Sequence, residues 1–309
     1  MKLCLNVALL TTAGIAAGLW ILSAPQAAIS ANALVSVPGN PERGAAVFHV
    51  GGCASCHKPA DYEQTDDDGI PPLGGGQRFS TDFGTFVAPN ISPDTATGIG
   101  SWSDADFANA LLKGISPEGE HYYPAFPYSS YSRMTLQDIA DLKAFMDTLP
   151  AVNRANEPHE LGFPFSVRRG LGLWKQLYLR TDPVIALDDT DTSLLRGRYL
   201  VEGPGHCGEC HSPRNALGAT DYSRWLGGAA NPDGDGSIPN ISPHASGLAD
   251  WSENDIAEYL SSGFTPEYDV VGSSMAEVVE NTARLSGSDR SAIAAYLKAI
   301  PAVAAKPDD

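Results

Sequence analysis

Cysteine is scarce in this chain. Its 309 residues hold five, and four of them stand in two C-x-x-C-H groups, Cys53-Ala54-Ser55-Cys56-His57 and Cys207-Gly208-Glu209-Cys210-His211. So thin a set excludes a disulfide-dense scaffold. Positive charge is short as well: 20 Lys and Arg face 37 Asp and Glu, a formal net charge of −17. A surface of that sign repels nucleic acid and anionic headgroups and suits a neutral or basic partner. Apolar residues alternate strongly with polar ones nowhere, and no Ser-His-Asp order, phosphate loop or metal-binding carboxylate pair stands out. The Asp66-Asp67-Asp68 run reads as a solvated loop rather than a calcium site.

What is present centres on the two C-x-x-C-H groups. Two thiols three residues apart on one turn of backbone reach the two vinyl groups of a porphyrin, and the next residue points an imidazole at the iron. Cys53, Cys56 and His57 form one such set, and Cys207, Cys210 and His211 the other, which predicts two covalently bound haem c groups. The competing reading is a Cys4-type zinc site. Against it, each pair carries the adjacent His and heads a similar stretch of sequence.

A composition of 43% apolar and 18% charged residues excludes whole-chain disorder, and the length suits two domains. From Leu3 to Leu22 no residue is charged, a run close to the length that spans a bilayer, and Lys2 before it favours the inner side. The expectation is a retained N-terminal anchor helix, with the remainder outside the cytoplasm. A cleaved signal peptide competes, with Ala28-Ile29-Ser30 or Ala31-Asn32-Ala33 as the cleavage site. Either reading exports the chain. Cys4 lacks a preceding lipobox and reads as an apolar residue of that segment.

The remainder is one unit written twice. Asn40-Pro41-Glu42 reads as an N-cap, a first-turn Pro and an early acid opening a helix toward Cys53, and residues 196–201 hold the same place before Cys207. Pro89-Asn90-Ile91-Ser92-Pro93 returns 150 positions later as Pro239-Asn240-Ile241-Ser242-Pro243. The N-x-S in each matches a glycosylation sequon, but its repetition favours a loop closing over the haem. Trp102 and Trp251, read as pocket walls, precede helices capped by Ser103 with Asp106 and Ser252 with Asp255 and ended by Gly114 and Gly263. Closing helices follow Thr135 with Asp138 and Ser286 with Asp289, and stop before Pro150 and Pro301. The predicted fold is all-α: two tandem helix bundles, each around one porphyrin that supplies part of a core a unit this small would struggle to bury. The divisions are 1–34 for anchor or signal peptide, 35–151 and 195–303 for the two domains, 152–194 for a connector and 304–309 for a tail. Within the connector, the stretch from Arg154 to Arg180 is the one basic part of the chain, with Arg154, Arg168, Arg169, Lys175 and Arg180 against Glu157 and Glu160.

These motifs resemble the diheme cytochromes c of bacteria, and domains of the cytochrome subunit that accepts electrons from membrane-bound quinoprotein alcohol dehydrogenases. The likeness covers roughly residues 40–303. It rests on Gly51-Gly52-Cys53, on residues 83–91, on Tyr123-Pro124-Ala125-Phe126-Pro127-Tyr128, on residues 206–215, and on Gly272-Ser273-Ser274-Met275 with the residues after it. The resemblance implies an electron carrier whose two haems each take His on one face and a Met thioether on the other, a soft ligand that raises the potential. Met275 is the sixth ligand expected in the second domain. Relatives can carry Met in the Tyr-Pro-Ala-x-Pro-Tyr segment, where this chain has Phe126. Met134, ahead of Thr135, is therefore the ligand expected in the first, with His121 as a substitute or an open site as alternatives.

The function expected is an exported, non-enzymatic carrier of single electrons between a periplasmic or membrane dehydrogenase and the respiratory chain. Its partners would be a dehydrogenase, a quinol-oxidising complex or terminal oxidase, other cytochromes, and the membrane through the anchor. The alternative is a diheme peroxidase with one open haem, and a third reading is a haem-bearing assembly subunit. His49, His121, His159, His206 and His244 have no partner legible in the sequence.

Overall fold

The computed structural model describes residues 14–15, 17–26, 29–34, 37–62, 69–188, 190–231 and 236–304. The first unit opens with α1 (Pro41–Val50), where Asn40 accepts the Arg43 amide at 3.0 Å and Pro41 takes the first helical position. Then come α2 (Cys53–His57), β1 (Arg78–Thr81), β2 (Gly84–Val87), α3 (Asp104–Lys113), α4 (Tyr128–Tyr131) and α5 (Leu136–Met146). The connector holds β3 (Glu160–Leu161) and α6 (Gly170–Tyr178). The second unit runs through α7 (Thr192–Glu202), α8 (Gly208–His211), β4 (Ala229–Ala230), β5 (Ser237–Ile238), α9 (Glu253–Ser262), α10 (Met275–Thr282) and α11 (Gly287–Ala299). The capping boxes read from the sequence form at Ser103 with Asp106 and at Ser252 with Asp255.

Two expectations need correction. The fold is not all-α: β2 pairs antiparallel with both β1 and β3, and β4 pairs with β5. These strands hold two to four residues each, and all four positions of β1 are exposed, so the inside–outside alternation that marks a strand in sequence never develops. The N-terminal anchor is not shown either. Residues 1–13 and 16 of that run lie outside the described residues, as do Asp66-Asp67-Asp68; residues 17–22 are helical. Among the described residues no helix is long and apolar enough to cross a membrane. The end of the run is instead held by the connector: Arg169 donates to the Trp20 carbonyl at 2.7 Å and lies 4.4 Å over the Trp20 ring, and Gln176 donates to the Leu22 carbonyl.

Each unit is built on one crossing of its first and last long helices, α1 on α5 and α7 on α11. The crossings are so close that a Cβ on Gly44 would stand 1.9 Å from the Asp141 carbonyl oxygen, and one on Gly197 1.9 Å from that of Ala292. An ion pair fastens each, Arg43 to Asp141 at 2.7 Å and Arg196 to Asp289 at 2.8 Å. Two apolar clusters result. The first gathers Phe48, Leu73, Phe107, Leu111, Ile139 and Leu142, and the second Leu200, Trp225, Leu226, Ile256, Ile293 and Tyr296.

The basic residues of the connector are spent on the protein itself. Arg154 bonds Glu157 and the Gly74 carbonyl, while Arg168 bonds the His121 carbonyl and covers the Tyr123 ring. Lys175 is buried, and its Nζ donates to the Lys113 and Gly114 carbonyls at 2.6 and 2.7 Å and to His121 Nδ1 at 3.1 Å. Burial lowers the Lys175 pKa to about 7 and lowers that of His121 as well. Between about pH 7 and the ordinary lysine value of roughly 10.4, the unfolded chain thus binds more protons than the folded one, and stability rises with pH across that window. His121 acts in the same direction below its ordinary value. Urea unfolding of the wild type should show an unfolding free energy rising between pH 7 and pH 9, by up to about 1.4 kcal/mol per pH unit. Lys175→Met should flatten that slope; equal slopes in the two proteins would contradict the assignment.

Candidate functional site

Both C-x-x-C-H groups form a single helical turn, and in both the imidazole is fixed by one hydrogen bond. His57 Nδ1 lies 2.8 Å from the Pro89 carbonyl, and His211 Nδ1 2.8 Å from the Pro239 carbonyl. A carbonyl only accepts, so each Nδ1 carries the hydrogen and each Nε2 keeps its lone pair. That is the tautomer an iron ligand needs. Burial, opposed by these bonds, lowers both imidazole pKa values, so the rings are neutral and ready to ligate at neutral pH.

The loops that carry those carbonyls explain the repeated Pro-Asn-Ile-Ser-Pro. Asn90 donates to the Val152 carbonyl at 2.6 Å, and Asn240 to the Val303 carbonyl at 2.7 Å. Each Asn also accepts the amide of its own Ser, Ser92 or Ser242, at 2.9 Å. Asn90 and Asn240 are buried, so the sequon match reflects a loop pinned to the end of its unit rather than a glycan site. A second brace went unnoticed in the sequence: Gly75 donates to the His57 carbonyl at 2.7 Å and Gly228 to the His211 carbonyl at 2.8 Å. Both have positive φ, and a Cβ on Gly75 would meet the Pro89 carbonyl oxygen at 2.4 Å. The glycines at 74–76 and 227–228, recurring at matching places, were the available signal.

The thiols report the shape of the space beside them. Burial pushes Cys53 and Cys207 up to about 12 and Cys56 up to about 11, yet Cys56 and Cys210 are exposed to solvent. The second thiol of each motif is thus within reach of a group arriving from solvent. Among the described residues, no three His, Cys, Asp or Glu side chains converge to hold a metal ion, which removes the Cys4-type zinc reading. The donor set fits haem c: in each unit, two thiols for the vinyl groups and one imidazole Nε2 for the iron.

The other residues singled out in the sequence scatter. Trp102 and Trp251 pack at the margins of the first and second core. Met134 is buried in the first core, and Met275 begins α10 against the second. Phe126 packs on Tyr122 and Tyr131. His121 has both ring nitrogens engaged, Nε2 with the Ser23 carbonyl and Nδ1 with Lys175. His206 holds the Gly51 carbonyl, His159 Nδ1 accepts the Val87 amide, and His244 pairs with Ser246.

Two covalent-haem units in tandem define a c-type cytochrome. The family model for cytochrome c matches residues 41–150. A diheme cytochrome c-type protein of Cereibacter sphaeroides is 53% identical over 96% of this chain and 97% of its own length. The fructose dehydrogenase cytochrome subunit of Gluconobacter japonicus is 37% identical over 82% of the chain, and the cytochrome c subunit of the quinone alcohol dehydrogenase of Gluconobacter oxydans 35% over 85%. The chain spans 51% and 55% of the length of those two dehydrogenase subunits. It belongs to the diheme c-type cytochromes, carries two covalently bound haem c groups and has an electron-transfer role. The diheme peroxidase alternative finds no support among these relatives. A pyridine haemochrome assay against protein mass should give two haems per chain, with none extracted by acidified organic solvent. One haem per chain, or extraction of either, would overturn this.

Proposed function

We propose that this cytochrome is the electron-carrying partner of an exported dehydrogenase, taking single electrons from it and passing them on toward the respiratory chain. The observation that carries this is the duplicated His–Pro hydrogen bond, at 2.8 Å in both units, which prepares two irons alike. Bound haem supplies a one-electron ferric/ferrous couple; the chain's residues hold it and tune it. The names of the fructose and alcohol dehydrogenase subunits support a dehydrogenase as donor. Both motifs and the uncharged N-terminal run support a location outside the cytoplasm, and recovery of the haem protein with the cytoplasmic fraction would contradict that.

For the second iron we propose Met275 as sixth ligand. It opens α10 beside the second core and is the one Met after Met146. For the first iron Met134 is the candidate by elimination, since phenylalanine at 126 cannot ligate and Met146 is buried on α5. One observation favours a second reading for that iron. Met134 precedes the N-cap Thr135 as Leu285 precedes the N-cap Ser286, and both are buried, so Met134 holds a place that in the other unit is plain core. On that reading the first iron keeps an exchangeable sixth position.

Carbon monoxide titration of the reduced protein separates the two. With both Met ligands in place the wild type binds none, and Met275→Ala and Met134→Ala each open one site per chain. If Met134 is core, the wild type already binds one equivalent, and Met134→Ala leaves that number unchanged while lowering stability. Absence of any new site in Met275→Ala would refute Met275.

A further inference from the structure

Two positions that the repeat makes equivalent differ in one respect. The residue before the first cysteine of each motif has a left-handed backbone, Gly52 at φ 56° in the first and His206 at φ 39° in the second. Glycine adopts that conformation freely, whereas a residue with a side chain adopts it only against steric strain. The second unit therefore holds a strained His where the first shows that Gly serves.

The His206 ring turns toward the other unit. Its Nε2 donates to the Gly51 carbonyl at 3.2 Å, and its ring makes a T-shaped contact with the Tyr131 ring, with centroids 5.7 Å apart and planes at 73°. Tyr131 donates its hydroxyl to the same carbonyl at 3.3 Å. Gly51 stands two residues before Cys53, so one carbonyl oxygen joins the lead-in of both motifs and a side chain from the first core. Further ties surround this point: Asn281 to Ser55 Oγ at 3.0 Å, Lys58 to Glu277 at 3.1 Å and Ser130 to Glu209 at 2.9 Å.

We propose that His206 and Tyr131, meeting at the Gly51 carbonyl, are positioning residues that set the packing between the two haem-attachment turns and thereby carry electron exchange between the two haems of one chain. This rests on the electron-carrier reading. The exchange moves one electron: one iron goes from ferrous to ferric as the other goes from ferric to ferrous, with no bond formed or broken and no proton moved. The strain at His206 is retained because its ring spans the seam, which a glycine cannot do.

His206→Gly tests this, since it gives the second motif the residue the first already uses and relieves the backbone. Three readouts are taken on the haem-loaded full chain. They are the denaturant midpoint, the absorption spectrum of each haem, and the rate at which electrons redistribute between haems after a photochemical pulse delivering less than one electron per chain. The expected result is two haems with unchanged spectra, a midpoint equal to or above that of the wild type, and redistribution slowed several-fold. Tyr131→Phe, which keeps the ring contact and loses the hydroxyl, should slow it less. An unchanged rate in His206→Gly with both haems intact overturns the proposal. A slower rate accompanied by a lower midpoint overturns it too, because His206 is then a structural staple. If the wild type itself fails to take up single electrons, the carrier reading falls first and this falls with it.

Discussion

A hydrogen bond from an imidazole Nδ1 to a proline carbonyl, made once in each unit at 2.8 Å, is the constraint around which the chain is arranged. It fixes tautomer and ring direction together, and both must be right before Nε2 can ligate iron. Much of the surrounding structure serves to keep that carbonyl in place. Asn90 and Asn240 hold the loop from beneath, Gly75 and Gly228 let the loop and the motif turn approach, and the α1–α5 and α7–α11 crossings supply the wall.

What the sequence made legible was the covalent chemistry and the repeat. Five-residue motifs with a mechanical reason for their spacing, capping boxes, and glycines at helix ends are local signals, and the structure has them at Ser103, Ser252, Gly114 and Gly263 as expected. What escaped was longer in range or shorter in extent. Strands of two to four residues with exposed positions leave no period to detect, so the antiparallel pieces were missed. The basic stretch from Arg154 to Arg180 packs on its own chain, with Arg154, Arg168 and Lys175 turned onto carbonyls, rings and a carboxylate, and it is these particular pairings that no sequence pattern announces. Of the histidines without a legible partner, His121, His159 and His206 found theirs among backbone groups, as far as 155 positions away.

The internal repeat is also the best control available for judging single residues. Where both copies agree, as at the Asn-x-Ser loops, the shared geometry marks what a haem unit of this kind requires. Where they differ, the difference is informative: Leu285 beside Met134 bears on ligation, and Gly52 beside His206 marks a strained residue with a place at the seam. The seam makes the two haem units one electron-transfer body rather than two carriers on a string.

The central claim is that this chain holds two haems in prepared, His-ligated sites and cycles each by one electron. A coulometric titration of the purified chain, followed by absorbance, tests it most directly. The account predicts two electrons per chain, taken up in one-electron steps that are fully reversible, with a haem spectrum changing in each step. Uptake of a single electron per chain, or a second haem that stays ferric throughout, would contradict it.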